Sequence, residues 1–368
     1  MDEATEPLVL AFKANLLRFT KSVFFSRYSL TNMQKPRVLI AVNRHLYPTI
    51  LSHSDLSRLA DFAVILNDDP PAIISKKFLM ENLPTADIAI TSWDTANFDA
   101  EVVACAPNLK LLCHAAGSVR PVVSKDLWAN GTRVTSAAAA ISYGVAEFCL
   151  GLILMATKRV FWLAQGTHHG FWMEPSAAFG GLFELYQQNV GIVGAGHIGK
   201  HLIRLLKNFD CHVFAYDPFM TAEEAGALGC QKLDTLGELF SRCRVVSLNA
   251  PSNEGTRDML RGEHFAALPD GAVFVNTAGS IQIHEPEFMA ELSKGRFVAC
   301  IDRCSVEPCA LDHPYRTLPN VILTPHIAGV VAENRFRIGT YSVNEIEVFI
   351  HDQALLHEVT EAGLATMA

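Results

Sequence analysis

Apolar residues along the chain fall in short runs separated by segments of helical periodicity. From Lys35 onward the runs Val38–Val42, Ala63–Leu66, Ile88–Thr91 and Leu109–Cys113 predict strands, with helical patterns between them. Strands alternating with helices indicate a small parallel α/β unit. A long apolar helix is predicted from Ser142 to about Gln165. Six further strands follow, at Val190–Val193, His212–Tyr216, Val245–Leu248, Val273–Asn276, Val298–Ile301 and Val321–Leu323. A last helix, about Ala332 to His351, has no sheet of its own and is expected to return to the first unit. The pattern divides the chain into an appended segment 1–34, a small domain 35–139 completed by 329–368, and a larger domain 140–328. The length of 368 residues suits two domains.

The sharpest local signal lies at the start of the larger domain. The strand at Val190 is followed by Gly194, Gly196 and Gly199 in G-x-G-x-x-G spacing. A helix with apolar positions Ile198, Leu202, Leu205, Leu206 and Phe209 comes next, and the following strand ends at Asp217. The first glycine permits a tight turn, the second lets backbone approach a pyrophosphate, and the third lets helix and strand pack closely. The helix start, with His197 and Ile198, presents free N–H groups and a positive dipole end to phosphate. Asp217 stands 18 residues after Gly199, where its carboxylate can accept from ribose hydroxyls and repel a 2′-phosphate. With strand, helix, strand and acid in register, the cofactor indicated is NAD rather than NADP. The fold class is therefore α/β with two Rossmann-like domains, the larger a doubly wound parallel sheet that binds NAD.

Half the residues are hydrophobic, 18% are charged and the net charge is −8, which argues against nucleic acid and against an anionic membrane surface as partners. The most apolar stretch, Val145 to Ala164, carries Glu147, Lys158 and Arg159, leaving at most ten uncharged residues in a row, so no membrane span is predicted. Nine cysteines form no C-x-x-C pair; Cys105, Cys149, Cys211 and Cys243 sit in apolar runs, as buried thiols of a reducing compartment do. Cys300, Cys304 and Cys309 are close together, but their spacing fits no common zinc pattern, and no metal is expected. The first 34 residues interleave Lys13, Arg18, Lys21 and Arg27 with Leu and Phe after an acidic start, unlike a secretory signal. Cytoplasmic location is the expectation.

Four further motifs fall at strand ends: S-L-N-A-P-S (247–252), V-N-T-A-G-S (275–280), I-D-R-C-S-V-E-P (301–308) and T-P-H-I-A-G (324–329). In that order, after the glycine turn, they resemble the D-isomer-specific 2-hydroxyacid dehydrogenases, the group that includes phosphoglycerate, glycerate and formate dehydrogenases. The resemblance runs from about Val38 to His351. It implies interconversion of a 2-hydroxy acid and a 2-keto acid with NAD, and a smaller, flavodoxin-like domain that binds the substrate. It places His326 as the acid/base and Glu307 as the carboxylate that orients it. An imidazole suits this role, because a hydride leaving a carbinol carbon requires a proton to leave its oxygen. Asp302 matches the position that holds the nicotinamide carboxamide, although a strand-end acid capping a turn reads the same way. Thr277, Ala278 and Gly279 match the segment along the nicotinamide, and Asn249 and Ala250 the loop over the cofactor, where the family more often has histidine at 249. In the small domain H-A-A-G-S-V-R-P (114–121) resembles the loop whose N–H groups, from Ala116, Gly117 and Ser118, grip the substrate carboxylate. The Ser142–Gln165 helix resembles the family's pairing segment, and its Leu150, Leu152, Leu154 and Phe161 exceed what one buried face needs, so a homodimer is expected.

One departure stands out. The family pattern N-T-A-R-G carries an arginine that binds substrate carboxylate and carbonyl together; here the chain reads Asn276-Thr277-Ala278-Gly279-Ser280. No backbone amide replaces both the charge and the planar fork of a guanidinium. Its loss is expected to cost on the order of 10²-fold in rate, by analogy with removal of a transition-state donor. Arg120 and Arg303 are the candidates to replace it. The alternatives are a catalytically weakened NAD-binding regulatory protein, or an NAD enzyme for a substrate without a carboxylate.

Overall fold

The computed structural model describes residues 35–172 and 181–367, so the segment 1–34 lies outside the described residues. Two all-parallel sheets organise them. The first contains β1 (Arg37–Ala41), β2 (Val64–Ile65), β3 (Ile88–Thr91), β4 (Leu111–His114) and β5 (Arg133–Ser136), in the order β2-β1-β3-β4-β5. The second contains β6 (Asn189–Val193), β7 (His212–Tyr216), β8 (Gln231–Lys232), β9 (Val245–Leu248), β10 (Val273–Asn276), β11 (Val298–Ile301) and β12 (Val321–Leu323). Its order is β12-β11-β10-β9-β6-β7-β8, so strand order reverses between β6 and β9. The first order is that of flavodoxin-like sheets, the second that of doubly wound dinucleotide-binding sheets; ligands of both sit at the carboxyl ends of strands where the order reverses.

The central strands read as largely apolar runs because both faces of each sheet are covered there. In the second sheet Val190, Ile192, Val273, Val275 and Cys300 face one side, against Leu202, Ile203 and Leu206. Successive side chains alternate, so Val193, Val246, Leu248, Phe274 and Ile301 face the other. That second face holds a cluster of aromatic rings, with Phe265 5.2 Å from Phe274 and 4.6 Å from Phe288 between centroids. Truncating a fully buried phenylalanine of this kind costs about 3–5 kcal/mol.

Four helices frame the site: α1 (Ala138–Thr157), α2 (Val160–His168), α3 (His197–Leu206) and α4 (Phe336–Ile350). The single helix expected over Ser142–Gln165 is a pair. Thr157 offers its carbonyl to the Phe183 N–H instead of continuing the helical ladder. Arg159 then takes a left-handed conformation, φ 52°, with its buried guanidinium donating to the Gly271 carbonyl at 3.4 Å. By length and hydropathy alone α1 matches a bilayer-crossing helix, yet it packs on α3, β10 and β11 as a core element. The last helix, α4, begins at Phe336 after a 3₁₀ turn and lays Ile338, Val343 and Ile346 on the first sheet. Beyond it Val359 donates to Val134 beside β5.

β5 and β8 were not anticipated. Val134 is the only aliphatic residue of Arg133–Ser136, and Gln231–Lys232 is a two-residue polar edge, so neither produces an apolar run.

Candidate functional site

The carboxyl ends of β6, β7, β9, β10, β11 and β12 gather the predicted residues of the larger domain. At β6, Gly194 turns with φ 90°, and a Cβ there would lie 2.7 Å from the backbone N and Cα of Ala250. A side chain at this position would push the β9 loop off the turn. At Gly196 nothing lies within 4 Å of the same added atom, which leaves an open cradle at the N-terminus of α3 with no side-chain cap on its N–H groups. His197 and Ile198 begin that helix, with His197 exposed. Asp217 closes the cradle: its Oδ2 accepts from the Ala195 N–H at 2.8 Å and its Oδ1 from the Phe219 N–H at 2.9 Å. A carboxylate has about four acceptor sites, so each oxygen retains one for a ribose hydroxyl. Open space, unused amide donors and a fixed carboxylate fit an adenine dinucleotide.

Asn249 and Ala250 follow β9. The Asn249 amide is turned inward to the Ser247 carbonyl at 3.1 Å, while Ala250 offers its carbonyl to Gln282 at 2.9 Å. At β10, Asn276 builds the next loop. Its Oδ1 accepts from the N–H of Ala278 at 3.1 Å and of Gly279 at 3.2 Å, and its Nδ2 donates to the Gly279 carbonyl at 2.7 Å. Thr277 is buried, with its hydroxyl 3.2 Å from the Cys149 thiol.

Asp302, 1% exposed at the end of β11, determines the shape of the histidine loop. Its Oδ1 accepts from the Thr324 hydroxyl at 2.6 Å and the Ile327 N–H at 3.0 Å, and its Oδ2 from the Ala328 N–H at 2.9 Å. Its backbone carbonyl takes the His326 N–H at 3.0 Å. Asp302 thus serves as the turn anchor that its strand-end position also allowed. These four bonds hold His326 in a left-handed conformation, φ 52°, which costs a non-glycine residue on the order of 1 kcal/mol.

So held, His326 places Nδ1 2.8 Å from Glu307 Oε2. With Nδ1 paired to a carboxylate, Nε2 is the nitrogen left to exchange a proton. Glu307 Oε1 lies 3.5 Å from Arg303 Nε, so guanidinium, carboxylate and imidazole form one chain of contacts. The pair borders a cavity of about 570 Å³ also lined by Asp302, Thr324, Cys304, Cys309 and Arg316. Arg316 donates to the carbonyls of Ala310 and Cys309 at 2.8 and 2.7 Å and so pins the far end of the Glu307 loop.

On the first sheet, Ala116, Gly117, Ser118 and Arg120 follow β4 as a tight loop. Ser136 donates to the Gly117 carbonyl at 2.6 Å and Ala137 N–H to the Ala116 carbonyl at 3.1 Å, which turns those carbonyls toward α1. Arg120 reaches instead to the chain end, where its guanidinium donates to the carbonyls of Leu364 and Met367. Neither arginine proposed as a replacement is therefore idle: Arg303 faces Glu307, and Arg120 binds backbone.

Residues outside the predicted set do much of the positioning: Asn276, Thr324, Ser136 and His114. His114 ends β4, buried, bonded to the Thr91 hydroxyl at 3.0 Å and to the Ser118 backbone. Burial pushes its pKa down from 6.5 to about 4. Because the unfolded chain binds the proton more readily, the stability contributed by the neutral ring is complete above pH 6.5 and is lost as pH falls toward 4. The expected loss is about 3 kcal/mol. Urea unfolding at pH 7 and near pH 4 should show a smaller loss for His114→Asn than for the native chain. Equal losses would exclude His114 as the source.

Against known proteins, residues 150–328 match the family model described as D-isomer specific 2-hydroxyacid dehydrogenase, NAD binding domain. The chain is 29% identical to D-3-phosphoglycerate dehydrogenase of Methanocaldococcus jannaschii over 275 residues, 74% of this chain and 52% of that one. It is also 29% identical to hydroxypyruvate reductase of Thermotoga maritima, over 74% of this chain and 88% of that one. It thus spans little more than half the length of the phosphoglycerate dehydrogenases it matches. Among solved structures, D-mandelate dehydrogenase of Rhodotorula graminis superimposes with a TM-score of 0.76 at 21% identity, covering 89% of this chain and 98% of that one, a likeness of fold. The glycine turn and the strand-end motifs up to Ala328 lie in this matched segment, so residues 150–328 are a D-isomer-specific 2-hydroxyacid dehydrogenase NAD-binding domain, with NAD as its cofactor.

Proposed function

We propose that this protein interconverts a D-2-hydroxy acid and the corresponding 2-keto acid. The observation that carries the reading is the 2.8 Å contact between His326 Nδ1 and Glu307, at the strand ends of the NAD-binding sheet. NADH, when bound, supplies the hydride. The glycine turn (Gly194, Gly196, His197, Ile198, Gly199) holds its phosphates and Asp217 its ribose, while Asn249, Ala250, Thr277, Ala278, Gly279 and Asp302 shape the nicotinamide side. In reduction His326 Nε2 gives its proton to the carbonyl oxygen, and in oxidation it takes the hydroxyl proton; Glu307 keeps the ring in place through both. Residues 35–139 with 329–368 form the substrate domain, whose Ala116, Gly117 and Ser118 amides receive the carboxylate. Arg303 or Arg120 supplies the cation: Arg303 stands beside Glu307, and Arg120 contributes only if it leaves the Leu364 and Met367 carbonyls.

A second reading, a catalytically weakened NAD-binding protein, is favoured by one observation: both replacement arginines have other partners. One experiment separates them. NADH and NADPH consumption is measured across 2-keto acids and non-acidic carbonyls. The dehydrogenase reading expects turnover confined to keto acids and faster with NADH. No turnover with any carbonyl would support the second reading, turnover of the non-acidic ones alone would mean a different substrate class, and equal rates with NADPH would overturn the role given to Asp217.

The same reading takes the protein as a cytoplasmic homodimer paired through α1 and α2. Of the residues expected to pair, Leu152 is buried in the core, while Phe161 is 38% exposed and, with Val160 at 37%, leaves apolar surface on α2 that a two-fold partner would cover. Sedimentation at micromolar protein should give twice the chain mass; a monomer would refute the pairing.

A further inference from the structure

The loop that presents Glu307 begins and ends in cysteine. Cys304 follows β11 and Cys309 closes the loop, with Ser305, Val306, Glu307 and Pro308 between them exposed. Cys304 is 8% exposed in the aromatic cluster beside Tyr315, and Cys309 packs on the same cluster, half-buried. The two thiols lie beside each other, and both line the cavity that Glu307 and His326 border. No other pair among the nine free cysteines shares a cavity wall with the histidine–glutamate pair among the described residues.

We propose that Cys304 and Cys309 are an oxidative modification site, closed to a disulfide by a hydroperoxide, and that closure withdraws Glu307 from His326. The proposal rests on the reading of that pair as catalytic. Burial, and then the Cys309 thiol beside it, push the Cys304 thiol up to about 12, so Cys304 is a poor first nucleophile. Cys309, nearer the surface, reacts first. Its thiolate attacks the peroxide O–O bond and becomes a sulfenic acid, and one oxygen leaves as water. Cys304 then attacks the sulfenic sulfur; the S–S bond forms, the S–O bond breaks, and the second oxygen leaves as water. Hydrogen peroxide is reduced by two electrons and the two thiols lose them.

The consequence follows from distances. Two neighbouring, unbonded sulfurs must close to about 2.05 Å, with a fixed torsion, to form the bond. The loop ends are held, at one side by the Asp302 clamp and at the other by Arg316 on the Cys309 and Ala310 carbonyls. The exposed middle, with Val306 70% exposed, is where the displacement goes. Glu307 sits in that middle.

The test treats the full chain, with NADH bound, with hydrogen peroxide. The intact mass should fall by two hydrogens, a Cys304–Cys309 cross-linked peptide should appear, and dithiothreitol should reverse both. Reduction of glyoxylate or hydroxypyruvate, whichever the native protein turns over, should fall by roughly tenfold or more on cross-linking and recover on reduction. The turnover of Cys309→Ser, relative to its own untreated rate, should be unaffected by peroxide. The rate at which diethyl pyrocarbonate modifies His326 should rise on cross-linking, a readout that needs no turnover. A cross-link to another cysteine, or none, would overturn the proposal, as would a cross-link that alters neither turnover nor His326 modification. Absence of keto-acid turnover before oxidation would instead count against the dehydrogenase reading, leaving the cross-link and His326 modification to decide the thiol pair.

Discussion

Replacing His326 by alanine is expected to lower keto-acid reduction by about 10³-fold while NADH binds with unchanged affinity. The two readouts part because of where the imidazole stands. His326 belongs to the loop after β12, and its ring is held toward Glu307 at 2.8 Å, on the opposite side of the reversal point from the glycine turn at β6. It can serve the substrate oxygen without bearing the phosphates. Glu307→Gln keeps the shape of the orienting side chain and loses its charge, so it should retain more activity than the alanine variant of His326. NADH fluorescence titration and single-turnover oxidation measure the two effects separately. If His326→Ala weakened NADH binding in proportion to turnover, the histidine would be part of the cofactor site instead. If turnover were unchanged, proton transfer would lie elsewhere.

Of the second sheet, six strands were legible because their positions are mostly buried and mostly apolar; five of these coincide with the observed strands to the residue, and β6 begins one residue earlier, at Asn189. β8 and β5 were invisible for the opposite reason, being short and mostly polar. The glycine turn was legible because its spacing is imposed by backbone contacts, such as Gly194 against Ala250, that leave no room for other residues. Residues that position others were hard to read. Asn276 and Thr324 were within quoted motifs, yet nothing in their order says that one folds the loop through Gly279 and the other bonds to Asp302. Ser136 and His114 lie 22 residues apart, and only the pairing of β4 with β5 puts both against the Ala116–Ser118 loop. The break at Arg159 has no signature in the apolar periodicity, which runs through it; a tertiary bond, from Phe183 to Thr157, ends the helix.

Gly279→Arg, which would restore the guanidinium of the family pattern, is expected to destabilise the protein by about 2–3 kcal/mol and to lower turnover, not to raise it. Gly279 has φ 154°, a conformation that side chains rarely adopt. A Cβ there would run into the Ser252 hydroxyl and lie 3.3 Å from Gln282 Oε1. That hydroxyl is not free to swing away. It donates to the Ala278 carbonyl at 3.2 Å and accepts from Gln282 Nε2 at 3.0 Å, and Gln282 is fully buried with its other bond on Ala250. Displacing it breaks two hydrogen bonds, worth about 1 kcal/mol each, in addition to the backbone cost. The loop has therefore been rebuilt around glycine. A vacancy that merely lost its arginine would look different, with open space over the Cα. If the serine is the obstacle, Ser252→Ala should recover part of the lost stability in the double variant, a coupling readable from urea midpoints of the two single changes and the pair. A Gly279→Arg protein as stable as the native chain and faster on keto acids would show that the guanidinium fits after all, and that Arg303 and Arg120 had never taken its place.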